Sequence, residues 1–380
     1  MQPLALLSFS DELRAEAKET LEGFARVGIK LKIISGDNPQ TVASLARQAG
    51  LSNDFKVVSG LELDSIDDTQ LGELAEETTV FGRIRPDQKE RIVSALRKRG
   101  HYVAMIGDGV NDVLSLKKAQ IGIAMQSGSA ATRGVADIIL LGDSFAALPS
   151  AFTEGQRILN GMQDVVRLFL TRVFYVTLLI LGTAVVADPR LFPMTPTQSA
   201  LLTFLTVGIP TFALAAWARP GVYKGDLIPT VLKFVVPAAV SIAGFGLSLF
   251  VYYLLQHSNP QAILTGLEIA TVETARTVLL LFLTAAGIVL IVFVEPPIRF
   301  FAGGDELTDD WRPTLLAGAM MITLVIVNLI PSMRDLFSLS VLRPQDYLLI
   351  AGTVIAWALT LRLIFQLRLF ERIFHSKSEA

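Results

Sequence analysis

The chain has 380 residues and a mass of 41.3 kDa, room for roughly two or three ordinary domains. Hydrophobic residues make up 52%, charged residues 18%, and mean hydropathy is +0.52, which excludes intrinsic disorder and points to a membrane protein. A net charge of -2 and a pI near 6.0 argue against a nucleic-acid partner, and the absence of cysteine excludes disulfides, zinc-thiolate sites and a cysteine nucleophile.

Residues 1–163 hold more than half of the charged side chains, so a soluble N-terminal part and a membrane C-terminal part are expected. The opening stretch has no basic n-region and reaches Asp11, Glu12 and Arg14 too soon for a signal peptide. The N-terminal part is therefore expected in the cytoplasm. Leu31 to Ser35 reads as a strand, followed by Gly36-Asp37-Asn38-Pro39 and a helix to about Gly50. Ser35, Gly36, Asp37 and Thr41 would put a hydroxyl and free backbone N–H groups at a helix start, which suits an anion such as phosphate. The same residues also fit a plain cap, with Asp37 or Asn38 closing the helix and Pro39 opening it.

Phe55 to Val58 and Val80 to Ile84 read as strands, and Pro86 to about Arg99 as a helix. Lys89, one turn in, could neutralise a phosphoryl charge at the strand ends, or simply be a solvated helix lysine. Tyr102 to Ile106 is a further strand, delivering Gly107-Asp108-Gly109-Val110-Asn111-Asp112 to the start of a helix. Two carboxylates and an amide within five residues make a hard, oxygen-rich site suited to Mg²⁺ with retained waters. Gly107 and Gly109 would let a substrate phosphate approach the backbone. Ile121 to Met125 and Ile138 to Leu141 complete the strands. The alternation predicts a parallel sheet with helices on both faces and ligands at the carboxyl ends of its strands.

Long apolar runs follow at about 165–187, 197–217, 230–255, 275–294, 313–331 and 346–366, each near the length that spans a bilayer. Six spans from a cytoplasmic start return the C-terminus to the cytoplasm. Arg219, Arg299, Arg312 and Arg362 then fall inside, with Arg334 and Arg343 as exceptions outside. Gly208 and Pro210 should break the second span and free carbonyls, with the Thr203 and Thr206 hydroxyls on about one face. Those hydroxyls could equally bond within their own helix. Asp188 would lie at the outer end of the first span, and Glu268 and Glu273 at the outer end of a later one. His101, His257 and His375 are isolated and take no role.

Gly107-Asp108-Gly109-Val110-Asn111-Asp112 resembles the hinge signature of P-type ATPases, ion pumps built on a haloacid-dehalogenase-like phosphorylation domain. Other segments agree in order. Asp11-Glu12-Leu13-Arg14 is similar to the re-entry into that domain, and Ser35-Gly36-Asp37 to its Thr-Gly-Asp motif. Phe81-Gly82-Arg83 through Pro86 to Lys89 is similar to its lysine motif, and Ala136 to Leu140 to its last strand.

The resemblance implies an incomplete, Rossmann-like α/β domain over residues 1–155. An all-α bundle of six transmembrane helices over 156–380 would follow it. It implies Asp108 as the Mg²⁺ ligand, with Asn111 and Asp112 ordering the site. Lys89 would neutralise the phosphoryl group, and Ser35, Gly36 and Asp37 would hold its oxygens. ATP would phosphorylate an aspartate, and hydrolysis of the acyl phosphate would drive cation transport across the plasma membrane. Thr203, Thr206, Gly208 and Pro210 would lie on the transport path, although Val207 stands where calcium and sodium pumps usually carry an aspartate. The family's nucleophile lies in Asp-Lys-Thr-Gly-Thr, and no Asp-Lys pair occurs in this chain. The resemblance is thus to the C-terminal half of such a pump. The expected partner is the missing N-terminal half, which would bring the aspartate and the nucleotide-binding domain; a fragment without catalysis of its own is the alternative.

Overall fold

A computed structural model describes residues 14, 16–52, 54–186, 192–221, 227–257, 269–301 and 308–367. Asp11, Glu12, Leu13, Asp188, Glu268 and His375, singled out above, lie outside the described residues. The chain divides into two compact units, Met1–Glu154 and Gly155–Ala380.

Among the described residues of the first unit, helices α1 (Ala17–Arg26), α2 (Pro39–Gln48), α3 (Gly60–Leu63), α4 (Asp68–Glu77), α5 (Pro86–Lys98), α6 (Val113–Lys118) and α7 (Ala130–Arg133) alternate with six strands. The strands are β1 (Ile33–Ile34), β2 (Lys56–Ser59), β3 (Thr78–Gly82), β4 (Ala104–Gly107), β5 (Ile121–Met125) and β6 (Ile138–Leu140). All pairings are parallel, as expected, but the strands form two sheets rather than one. Their orders are β1-β3-β2 and β4-β5-β6. The physical reason is that β1 and β4 each bond to a single neighbour, so neither reaches the other.

The first sheet is covered on both faces. Val80 turns to Val42 and Ala46 of α2, while the next residue, Phe81, turns to Ile92, Ala95 and Leu96 of α5, as strand alternation requires. Val93, on another face of α5, packs on Met105 of β4 and Leu116 of α6. One helix therefore serves both sheets. Its start is pinned by Gln88, 1% exposed, whose amide donates to the Gly60 carbonyl and to Asp64, both at 2.8 Å. Helix α4 was not expected, although Asp67 and Gln70 form a reciprocal capping box at its start. Its low apolar content hid it.

The loops after β1 and β3 are in contact. A methyl group on Gly82 would stand 2.4 Å from the Pro39 Cα, inside any tolerable contact. Gly82→Ala should destabilise the first unit by about 1–3 kcal/mol, read as a lowered urea midpoint of the full chain; an unchanged midpoint would show that the two loops are free to separate. Glu76 closes α4 onto the chain after α5. It accepts from Arg99 at 2.8 Å and lies 2.6 Å from the His101 ring. Arg99, then His101, pulls its carboxyl from 4.5 down to about 2. A lowered folded value gives stability that is complete above 4.5 and lost as pH falls through about 2. Glu76→Gln should flatten the pH dependence of the unfolding midpoint within that window and lower the midpoint near neutrality, where the lost contribution was complete.

Among the described residues, six helices are long and apolar enough to cross a membrane, the first of them beginning before the second unit does: Ala147–Val185, Pro196–Trp217, Ile228–Gln256, Ala270–Val294, Arg312–Leu329 and Pro344–Gln366. The first lies within the 40-residue α8 (Ala147–Val186). The second comprises α9 (Pro196–Thr203), a π-helical turn (Phe204–Gly208) and α10 (Ile209–Trp217). The others are α11 (Leu227–His257), α12 (Ile269–Val294), α13 (Arg312–Leu329) and, after the short α14 (Pro331–Leu336), α15 (Pro344–Gln366). Small residues permit close approach. The place of a Cβ on Gly287 of α12 lies 2.6 Å from Thr206, and on Gly182 of α8 it lies 2.8 Å from Leu247.

Candidate functional site

Strand β4 ends at Gly107 and the chain enters a 3₁₀ turn, Val110–Asp112, before α6. This turn folds the Asp112 carboxylate back over the strand end. It can do so because residue 107 is glycine: a Cβ there would stand 2.6 Å from that of Asp112. Lys89, near the start of α5, meets the same carboxylate at 2.7 Å, with side-chain exposures of 14% and 8%. The other Asp112 oxygen accepts from the Gly109 N–H at 3.3 Å. The pair is thus buried and partly satisfied by backbone, the condition under which such a pair persists.

Asp108 differs. It is exposed, and its carboxylate has no hydrogen-bond or ion-pair partner among the described residues. Its backbone carbonyl, by contrast, is clamped. Ser129 N–H donates to it at 2.8 Å and the Thr132 hydroxyl at 3.2 Å. Asn111 is exposed on the same turn. Sequence reasoning missed Ser129, Thr132 and Gln88. The cap spacing Ser129 to Thr132 was the available signal, since Ser129 accepts from the Thr132 N–H at the start of α7.

The second cluster follows β1. Asn38 caps α2, accepting from Gln40 N–H at 2.9 Å, and Pro39 occupies the first turn. The Ser35 hydroxyl accepts from Asp37 N–H at 3.1 Å and lies 3.2 Å from the Asp37 carboxylate. The capping role therefore accounts for Asn38 and Pro39, and leaves Gly36 and Asp37 exposed. This loop is tied to the one after β3. Ile84 N–H donates to Ser35 carbonyl at 3.0 Å, and Arg83 N–H to Asp37 carbonyl at 2.7 Å. Arg83 has φ of 53°, the left-handed region, which costs a non-glycine residue about 1 kcal/mol or more. The structure thus unites Lys89, Gly107, Gly109 and Asp112 by direct contact. It links Ser35, Gly36 and Asp37 to them only through residues 83–89.

In the second unit, the expected break at Gly208 and Pro210 is not found. The helix continues through a π turn instead, and Pro210 sits in the first turn of α10. A π turn absorbs the missing proline N–H by shifting the bonding register rather than opening the chain. The Thr203 and Thr206 hydroxyls bond within the helix, to Ser199 carbonyl at 2.5 Å and Leu202 carbonyl at 2.7 Å. No group of three or more His, Cys, Asp or Glu that could hold a metal occurs among the described residues.

Residues 2–120 match the model of the haloacid dehalogenase-like hydrolase family. The chain is 36% identical over 349 residues to the calcium-transporting ATPase CtpE of Mycolicibacterium smegmatis, covering 89% of this chain and 41% of that protein. It is 39% identical over 220 residues to the probable cation-transporting ATPase exp7 of Streptococcus pneumoniae, covering 56% and 28%. It is 34% identical over 236 residues to the sodium/potassium exporting P-type ATPase cta3 of Schizosaccharomyces pombe, covering 58% and 23%. The chain spans about two fifths or less of the length of these curated relatives.

Proposed function

We propose that this chain, homologous over most of its length to cation-transporting P-type ATPases, works as one part of such a pump. Residues 1–155 would be the C-terminal portion of the phosphorylation domain, and 156–380 the membrane domain. The γ-phosphate of ATP would pass to an aspartate, and hydrolysis of that acyl phosphate would drive a cation across the plasma membrane. The observation that carries this reading is the buried Lys89–Asp112 pair set beside the unpartnered Asp108 at the end of β4.

Magnesium fits the residues present. Asp108 offers a free carboxylate and Asn111 an exposed amide, and an ion that keeps most of its waters needs little more from the protein. Bound there, Mg²⁺ would neutralise part of the phosphoryl charge. Asp112 holds the Lys89 ammonium in place, so that it can meet phosphoryl oxygens without searching rotamers. Gly107 and Gly109 keep side chains off the approach. The Ser35 hydroxyl and the N–H groups of Gly36 and Asp37 would receive phosphoryl oxygens once Ser35 turns from Asp37.

The aspartate would come from a partner half outside this sequence, together with the nucleotide-binding domain that receives ATP. Two features support this. The sequence has no Asp-Lys pair, and β1 and β4 each have one unpaired edge among the described residues. A strand between them would join the two sheets. Both termini of this chain would lie in the cytoplasm, and the lipid bilayer would surround 156–380. Thr203, Thr206, Gly208 and Pro210 would lie on the cation path, at and beside the π turn. The names of the relatives cover calcium, sodium and potassium, so cation is the level at which the substrate is proposed.

The test is co-expression with a half bearing Asp-Lys-Thr-Gly-Thr, followed by radiolabelled ATP. An acid-stable, hydroxylamine-sensitive phosphoenzyme requiring Mg²⁺ is expected. Mg²⁺-dependent hydrolysis of p-nitrophenyl phosphate by this chain alone would overturn the placement of the nucleophile elsewhere. The absent Asp-Lys pair also favours a second reading, a non-catalytic fragment, which predicts no phosphoenzyme with any complementing half.

A further inference from the structure

Asp108 stands between two glycines, so the local chain does little by itself to fix the direction of its side chain. Yet the peptide joining Asp108 to Gly109 is held at both edges. Its N–H, on Gly109, donates to the Asp112 carboxylate at 3.3 Å. Its carbonyl, on Asp108, accepts from the Ser129 N–H at 2.8 Å and from the Thr132 hydroxyl at 3.2 Å. The Thr132 hydroxyl proton is shared with the Ser129 carbonyl at 2.8 Å. The Ser129 hydroxyl, 2.7 Å from the Thr132 oxygen, can donate to it in turn. Thr132 is 0% exposed, so water does not compete for these bonds.

The segment that supplies these donors is itself anchored. Gly128 is pressed against Asp108: a Cβ there would stand 2.9 Å from the Asp108 carbonyl oxygen and 3.1 Å from its Cα. Arg133 donates to the Gln126 and Gly128 carbonyls, the first at 2.9 Å. On the side of β6, Gln126 accepts from the Gly142 N–H at 2.8 Å, and the Ser127 N–H donates to the Asp143 carboxylate at 2.9 Å. Capping of α7 explains the bond between the Ser129 hydroxyl and the Thr132 N–H, but a cap has no need of Asp108.

We propose that Gly128, Ser129 and Thr132 are positioning residues for Asp108, holding its peptide plane so that its carboxylate is aimed at a divalent cation. The proposal rests on the reading of Asp108 as a metal ligand. A fixed 108–109 plane fixes the last backbone rotation of residue 108, and with it the direction of the Cα–Cβ bond relative to the turn. The Asp108 carboxylate has no protein partner among the described residues, so its backbone is what directs it. Mg²⁺ demands near-octahedral geometry, and misdirection of a ligand weakens binding. Groups that orient a metal ligand are worth about 10–100-fold in metal affinity.

The full chain in phosphatidylcholine nanodiscs can be titrated with Mn²⁺ and followed by electron paramagnetic resonance. Asp108→Asn defines the binding that belongs to this site. Thr132→Val should weaken the Asp108-dependent binding by about 10-fold, and Thr132→Ser, which keeps the hydroxyl, should return it to near wild type. Gly128→Ala should weaken it at least as much, because the new Cβ must displace the Asp108 backbone. A circular dichroism melt of each variant separates folding from binding. A lowered midpoint with unchanged Mn²⁺ affinity in Thr132→Val would leave only a structural role and overturn the proposal. Equal weakening in Thr132→Ser and Thr132→Val would overturn it too, since the hydroxyl would not be the cause. If Thr132→Val does not fold, Thr132→Ala and Gly128→Ala decide on the same terms. Should wild type and Asp108→Asn bind Mn²⁺ alike, the reading of Asp108 as a metal ligand falls and takes the proposal with it. Failure of the Thr132 and Gly128 arms alone leaves that reading standing. No arm involves ATP, so failure to form a phosphoenzyme does not touch the outcome.

Discussion

Asp108→Asn should reduce the yield of phosphoenzyme in the complemented pump by about 10³-fold or more, equivalent to roughly 4 kcal/mol of lost stabilisation. The argument is one of charge at a single exposed oxygen pair. Asp108 has no protein partner among the described residues, so its carboxylate is free to hold Mg²⁺. Asparagine keeps the shape and one oxygen but removes the charge. The fold should not notice. The Asp108 carbonyl, not its side chain, carries the bonds from Ser129 and Thr132, so the urea midpoint should move by less than about 0.5 kcal/mol. Phosphoenzyme assay and urea melt together separate the two effects. Wild-type phosphorylation in the variant would remove Asp108 from the chemistry.

Lys89→Met should be costly in both measurements. It leaves the Asp112 carboxylate 8% exposed with only the Gly109 N–H at 3.3 Å for support. Removing one member of a buried pair costs about 3–5 kcal/mol, because the remaining charge is stranded. Asp112→Asn added to Lys89→Met should restore much of the stability but not the phosphorylation, since a neutral amide can stay buried. The comparison isolates the stranded charge from the lost cation. Equal stability of Lys89→Met and wild type would mean that Asp112 finds water or another donor.

Much of this was legible from the sequence because it was local. Strands β2 to β6 stand within about two residues of their expected places, and the six apolar helices follow from hydropathy alone. The turn carrying Asp108 was readable because glycine and aspartate at that spacing admit few conformations. Three things were not legible. The contact between Lys89 and Asp112 joins residues 23 apart through the packing of α5 on α6, which no local pattern encodes. The division into two sheets depends on what β1 and β4 fail to touch. Gly208 and Pro210 predicted a break, but the helix had a cheaper solution in the π turn.

The sharing of α5 by two sheets has a kinetic consequence. Strand β3, helix α5 and strand β4 are consecutive, so their contacts close short loops and should form early. A strand entering between β1 and β4 from elsewhere would have to find both edges across a long sequence separation, and so would arrive late. Refolding of the complemented protein should then show a fast phase that buries α5 and a slow phase, dependent on the concentration of the complementing half, that joins the sheets.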